Sequence, residues 1–538
     1  MDKKKKILTA SLIFSHLLML VLGVFFRFTD GDEGGMLAVA KEVIGGRVPI
    51  LDINAHNQPL MYYFYGLWMK LFGFSIISGR FLSVFAMFAA GLLLLWWTYK
   101  FTKSYATSLI IYFIFIVNLT FFKANITVKP FALTNFFTFA SFALLSGKYL
   151  SENTFSAPAL FFSGVFLGLA LGVRLMFILP IVFAIWIVIV MVRDGRAIKD
   201  IAKNIFIYSV GVFIPLIPSV VIFLKEPLRA YTIWAGAYSQ VYLGKGANPD
   251  FKIDVLKDIR VERTMNGLIG ALKVPDTAFL IPLVFVSTMI FFYKYGLMDR
   301  AKKNVYFLTW AVFGSIIWLC SNLYLAYFAY VNQVVLFALL LIIPGVEALT
   351  LKVKPKNIAI SMAVFVIIFT ALFYSHFQKK LNTSIFYMFA SKEQIITPGF
   401  VSGVSNDVVK RLTKDGDIVF DTWGVFVFAS GRKPVKGFEY PNDSDLFWAF
   451  MQNKEMAGKY LYISESELYG MFERKEIPLV ILGDDTDLRL LVFGEGGGLL
   501  ESNDVNRLRR KIEMYYDIYK KYYVKPTNAW VLIYLPKK

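Results

Sequence analysis

Long apolar stretches separated by short polar turns occupy the first two-thirds of the chain. They lie near 7–28, 75–98, 106–122, 130–147, 158–173, 175–192, 204–224, 278–293, 304–321, 325–345 and 357–374. An apolar run of about 20 residues is long enough to cross a bilayer as a helix, so the pattern predicts roughly eleven spans. Within the first polar interval, 29–74, a short amphipathic helix is expected over 36–44, lying along the membrane interface. The aromatic run Tyr62, Tyr63, Phe64, Tyr65 and Trp68 reads as an interfacial belt. Beyond about residue 400 the pattern changes. Short runs at 417–420, 479–482 and 530–535 predict strands, and 507–523 reads as helix. The expected fold class is mainly α: a polytopic α-helical membrane protein with a C-terminal α/β domain. Its domains are expected at 1–375 and 376–538.

Charge orients this pattern. Lys3, Lys4, Lys5 and Lys6 precede the first run and place the N-terminus in the cytoplasm. No small-residue cleavage pattern follows that run, so it reads as an anchor rather than a signal peptide. The turns then expected inside are 99–103, 147–156, 193–203, 294–303 and 351–357. Four of them are basic, with Lys100/Lys103, Arg193/Arg196/Lys199/Lys203, Lys294/Arg300/Lys302/Lys303 and Lys352/Lys354/Lys356. Loops 29–74 and 225–277, and everything after 375, fall outside. The expectation is a multi-pass cell-membrane protein with an extracytoplasmic C-terminal domain. Charged residues make up 18% of the chain, below the roughly 25% of soluble domains. The net charge of +19 is spread over turns rather than gathered in a stripe, which excludes a nucleic-acid partner. The single cysteine, Cys320, excludes an internal disulfide and a cysteine metal cluster.

The first run breaks off into Asp30, Asp32 and Glu33. Clustered acids repel one another unless a cation or a substrate offsets them. At the membrane boundary they are candidates for a general base, with a divalent metal ion as a candidate cofactor held by Asp32 and Glu33. Solvated loop residues are the plain alternative. Arg174 stands between two apolar runs at the outer boundary, after Gly164, Gly168 and Gly172. It is either a snorkelling side chain or a phosphate clamp, since guanidinium matches phosphate geometry. Arg80 and Lys129 fall near the outer ends of their spans and join it as candidate substrate-binding groups. His56, just before Pro59 and the aromatics, and Tyr62 are further candidates. Gly494-Glu495-Gly496-Gly497-Gly498 lacks the spacing and lysine of a phosphate loop and reads as a turn.

Together these segments form a recognisable series. Asp32-Glu33-Gly34, Gly45-Gly46-Arg47-Val48-Pro49, Asp52 and His56-Asn57-Gln58-Pro59-Leu60-Met61-Tyr62-Tyr63 resemble the first extracytoplasmic loop of GT-C superfamily glycosyltransferases. The likeness is to the branch of the dolichyl-phosphate-mannose protein mannosyltransferases and the aminoarabinose transferases. Gly79-Arg80-Phe81-Leu82-Ser83, Gly168 to Arg174 and Tyr327-Phe328-Ala329-Tyr330 extend it over about 7–345. Three departures stand out: Val128-Lys129-Pro130 lacks a neighbouring acid, Ala329 stands where a histidine is common, and a Pro-Pro pair is reduced to Gln58-Pro59.

The resemblance implies inverting transfer of a sugar from a polyprenyl-phosphate donor to a lipid, glycan or protein hydroxyl at the outer membrane face. Asp32 would be the base, Glu33 would support it or share a metal, and Arg174 would hold the donor phosphate. The rival reading is a non-enzymatic membrane protein, either a transporter or an envelope-assembly scaffold. Transporters often show repeated halves and broken spans at the bilayer midplane, whereas the candidate charges here sit at one boundary.

Overall fold

The computed structural model describes residues 3–29, 31–236, 275–295, 299–323, 332–350, 396–440, 451–483, 502–524 and 529–538. The protein is a polytopic α-helical membrane protein with a small sheet near its C-terminus. Its helices in order are α1 (Lys3–Phe26), α2 (Gly31–Ile44), α3 (Pro59–Phe72), α4 (Ile76–Thr102), α5 (Tyr105–Val117), α6 (Leu119–Asn125), α7 (Pro130–Glu152), α8 (Ala157–Val173), α9 (Ile178–Arg193), α10 (Ile198–Lys225) and α11 (Pro227–Tyr231). They continue with α12 (Pro275–Tyr295), α13 (Arg300–Leu323), α14 (Asn332–Leu341) and α15 (Ile343–Thr350).

Among the described residues four helices are long and apolar enough to cross a membrane: Lys5–Phe26, Ile76–Thr102, Pro130–Glu152 and Ile198–Lys225. The pair α14 and α15 makes a fifth if it is one span, bent by 44°. Tyr105–Val117, Ala157–Val173, Ile178–Arg193 and Leu280–Tyr293 are apolar but shorter. The run expected over 106–122 is cut at Asn118, whose side chain accepts from Phe121 N at 2.8 Å and starts α6 as a separate helix. The run expected over 357–374 lies outside the described residues.

Backbones approach most closely where glycines line up. A Cβ on Gly164 would stand 2.3 Å from Tyr208 O, and one on Gly168 would stand 2.2 Å from Val212 O. This small-residue stripe lets α8 lie directly on α10, as membrane helices do when side chains give way to backbone contact.

The helix expected along the interface over 36–44 differs from that expectation. It begins earlier, at Gly31, and Met36, Leu37, Ala38, Val39 and Ala40 are all buried. It packs between α3 and the C-terminal sheet domain rather than on a lipid surface. The aromatic belt is also corrected in part: Tyr62 and Tyr65 are 1% exposed and belong to the core.

The sheet has order β2-β1-β3-β5-β4, with β1 (Ile418–Asp421), β2 (Lys433–Pro434), β3 (Leu479–Gly483), β4 (Tyr516–Val524) and β5 (Ala529–Pro536). β1 pairs in parallel with β2 and β3, while β5 runs antiparallel to β3 and β4. The helix expected over 507–523 stops at Tyr515. From Tyr516 the chain reads Tyr-Asp-Ile-Tyr-Lys-Lys-Tyr-Tyr-Val, rich in β-favouring tyrosines, and pairing with β5 takes it into a strand.

Candidate active site

The last carbonyls of a helix have no donor of their own. At the end of α1 those donors come from Arg80 of α4. Its Nη1 donates to Val24 O at 3.0 Å and Arg27 O at 2.9 Å, and its Nη2 donates to Phe28 O at 3.0 Å and Thr29 Oγ1 at 3.1 Å. The same guanidinium grips Glu33, with Nε to Oε1 at 2.9 Å and Nη2 to Oε2 at 2.5 Å. Val128 N donates to Glu33 Oε1 at 2.9 Å. Both side chains are fully buried, and a buried charge is tolerable only when it is paired and hydrogen-bonded. Arg80 and Glu33 therefore join α1, α2, α4 and the loop before α7.

Asp32 precedes Glu33 by about 100° of helix turn and emerges on another side. Its Oδ2 accepts from Lys129 Nζ at 2.8 Å, and its side chain is 41% exposed against 12% for Lys129. Of the two adjacent acids, Asp32 is the accessible one. Burial pushes the neighbouring Tyr62 phenol up to about 12, and the Asp32 charge adds to that effect. Asp30 lies outside the described residues.

Lys129 stands immediately before Pro130, the first residue of α7. Tyr65 OH donates to Lys129 O at 3.1 Å, and Ser83 Oγ donates to Thr127 O at 2.8 Å, so the loop is fastened beneath Asp32. Two residues on, the Phe131 ring lies under the Arg174 guanidinium, 4.9 Å from its centroid. Arg174 caps the C-terminus of α8 and is 3% exposed. Asp32 and Arg174 thus both contact the stretch 129–131. Deeper in, Asn135 Nδ2 donates to Asn125 Oδ1 at 2.9 Å and Asn332 Oδ1 at 3.0 Å, making a buried amide cluster. Nothing in the sequence pattern separates these asparagines from others.

His56 and Tyr62 occupy the layer between the first loop and the C-terminal domain. His56 Nε2 lies 3.2 Å from Tyr462 OH, its ring packs on Tyr440 at 4.9 Å, and burial pulls its pKa down to about 4. Tyr62 OH accepts from Asn57 N at 3.2 Å. More bonds fasten this layer: Asn54 Nδ2 to Tyr460 O at 2.9 Å, Arg47 to Glu439 at 2.9 Å, and Arg229 Nε to Lys459 O at 2.7 Å. Ser219 Oγ of α10 donates to Gln58 Oε1 at 3.0 Å. Sequence reasoning missed Tyr440, Tyr460 and Tyr462 because their partners lie about 400 residues away.

The residues present do not fit the shared metal expected of Asp32 and Glu33. Both Glu33 oxygens accept from Arg80 in a dry setting, and Asp32 already faces an ammonium. Among the described residues no group of three or more His, Cys, Asp or Glu side chains is placed to hold an ion. The Tyr327–Tyr330 and Gly494–Gly498 segments lie outside the described residues.

No protein-family model and no curated protein matches the sequence. Among solved structures the chain is similar to ArnT from Cupriavidus metallidurans in the apo state, with a TM-score of 0.55 and 11% identity. It is also similar to the same protein bound to undecaprenyl phosphate, with a TM-score of 0.57 and 11% identity. Each match covers 98% of this chain and 97% of the other. The fold is shared over nearly the whole length and is the one that the first-loop resemblance implied.

Proposed function

We propose that this protein is a GT-C membrane glycosyltransferase that moves a sugar from a polyprenyl-phosphate donor to an acceptor hydroxyl at the outer membrane face. One observation carries the reading: the accessible Asp32 carboxylate is fastened beside Lys129, on the stretch that also holds Arg174. The shared fold with ArnT, solved with undecaprenyl phosphate, supports a lipid-phosphate donor.

In this reading Asp32 takes the proton of the acceptor hydroxyl as its oxygen attacks the anomeric carbon. The bond from that carbon to the phosphate oxygen breaks from the opposite face, so configuration inverts. The lipid phosphate leaves as an anion, and the fixed cations Arg174 and Lys129 stabilise it. Glu33 and Arg80 hold the helix that carries the base and touch no substrate. The basic turns expected at the other end support an outer-face placement of this one, by the positive-inside rule. The acceptor, whether lipid, glycan or protein, is set by surfaces not yet assigned.

The test is transfer by purified protein in liposomes, using labelled polyprenyl-phosphate sugars and a panel of acceptors. Asp32→Asn should lower turnover by roughly 100-fold or more with thermal stability retained. Equal turnover rejects Asp32 as the base. Arg174→Ala should weaken donor binding, and unchanged donor affinity would return Arg174 to a structural role. Sidedness follows from Ser466→Cys, an exposed position in the C-terminal domain. It should react with an impermeant maleimide on intact cells.

A further inference from the structure

In open α/β sheets the crevice beyond the carboxyl ends of parallel strands is the usual seat of a ligand. Here part of that position is taken by the protein itself. The carboxyl end of β1 runs through a tight turn at 422–424 into a short helix, Val425–Ser430, and this 421–427 segment is stitched to β3 by Thr422 N to Ile481 O at 3.1 Å and Gly483 N to Thr422 Oγ1 at 2.9 Å. The turn lies directly against α2. A Cβ on Gly34 would stand 2.3 Å from Val425 N and 2.5 Å from Trp423 O, so α2 and the turn meet backbone to backbone. Gly31 also faces Trp423, whose ring meets Phe28 edge-on at 6.2 Å.

One side chain shapes this turn. The Asp421 carboxylate is 4% exposed. It accepts from Trp423 N at 2.9 Å through Oδ1, and from Phe426 N at 2.9 Å and Val427 N at 3.1 Å through Oδ2. Gly424, at φ +66°, supplies the left-handed step between them. The turn presses on Gly34, two residues after Asp32 and in the same helical turn.

We propose that Asp421 is a positioning residue for Asp32. Its carboxylate fixes the 421–427 turn, the turn seats the first turn of α2, and that seating sets where the Asp32 carboxylate stands. The inference rests on the reading of Asp32 as the base. It assigns the C-terminal domain a part in turnover rather than in donor binding, because the donor-facing cations Lys129 and Arg174 lie on other elements.

The experiment compares full-length wild type, Asp421→Ala, Asp421→Asn and Phe472→Leu in nanodiscs. It reads amide hydrogen exchange together with kcat and donor KM. Phe472 lies in the same domain core, against Phe420 and Tyr516, and makes no part of the turn. Asp421→Ala should speed exchange in 32–38 by about tenfold. It should lower kcat by roughly tenfold, since small misplacements of a reacting group are costly, with donor KM within about twofold. Asp421→Asn, which keeps one acceptor oxygen, should recover part of both, and Phe472→Leu should move neither. Gly34→Ala, which drives a methyl into Trp423 O and Val425 N, should give the same kcat loss without touching Asp421. Unchanged exchange in α2 for Asp421→Ala overturns the proposal, and so does faster exchange with unchanged kcat. Full activity of Asp32→Asn would instead strike the reading of the base, while the exchange result would still decide whether Asp421 seats α2.

Discussion

The two ends of the helical body are built differently. At the basic end the helices turn back within a few residues, and the caps are local. Lys103 and Asn153 take left-handed conformations, Gly195 does the same at φ +67°, and Ser104 Oγ accepts from Thr107 N at 3.2 Å. Its longer links are mostly between neutral groups, such as Trp186 Nε1 to Asn304 O at 2.8 Å, Asn304 Nδ2 to Tyr149 OH at 2.9 Å and Thr107 Oγ1 to Thr350 Oγ1 at 2.8 Å, beside the half-exposed Arg300 with Asp194 at 3.0 Å. At the other end the chain commits most of residues 31–66 to a buried layer, and its charges are tied to partners far away in sequence. A turn needs only its own hydrogen bonds satisfied. A dry site that must hold charges at set positions needs many separate elements, and this is where the candidate chemistry gathers.

The largest expected effect comes from Arg80→Met. It would leave Glu33 charged and buried without its cation, at a cost of about 3–5 kcal/mol. Thermal unfolding in detergent should show the loss, and Arg80→Met with Glu33→Leu should recover most of it. If the single variant unfolds like wild type, the two ends are not held differently.

Acid comes next. Burial holds the pKa of His56 near 4 in the folded protein, below the ordinary value of about 6.5 in the unfolded chain. Its contribution is therefore full above about pH 6.5 and lost as pH falls towards 4, by about 3 kcal/mol in all. The groups facing it, Tyr440 and Tyr462, stay neutral over that window. Wild-type stability should fall as pH falls through that window, and the curve should flatten in His56→Gln. A flat wild-type curve would show His56 to be hydrated.

Smaller still is the Arg47–Glu439 tie between loop and domain, where Glu439 is 4% exposed and Arg47 29%. A double-mutant cycle should give a coupling of about 1 kcal/mol. The smallest effect is expected at the basic end. Arg300→Ala should cost under about 1 kcal/mol, since exposed pairs contribute little, and should leave transfer untouched.

Much of this contrast was legible in the sequence. Apolar runs and basic turns located the helices, and Asp32, Lys129 and Arg174 were expected at one end. What the sequence could not tell was which charge pairs with which. Arg80 and Glu33, expected as site residues, pair with each other, and a charge at a membrane boundary has the same local signature whether it meets a substrate or another side chain. Burial of α2 depends on Gly34 and Gly35 admitting a backbone and the Tyr440 ring from nearly 400 residues away, which no local periodicity encodes. The bend between α14 and α15 falls within the apolar run expected over 325–345, whose pattern carries no sign of it. At the bend Tyr306 OH donates to Leu341 O at 2.9 Å and Ser287 Oγ to Ile342 O at 3.3 Å.

The Arg80 guanidinium bears on protein engineering. It touches the end of one spanning helix, a loop hydroxyl and an acid on a third element. The loop that follows α1 is therefore not a cassette that can be grafted alone onto another scaffold. A working chimera would have to carry across the final turn of α1 and the opening turns of α4 as well, and junctions cut between them should yield insoluble product.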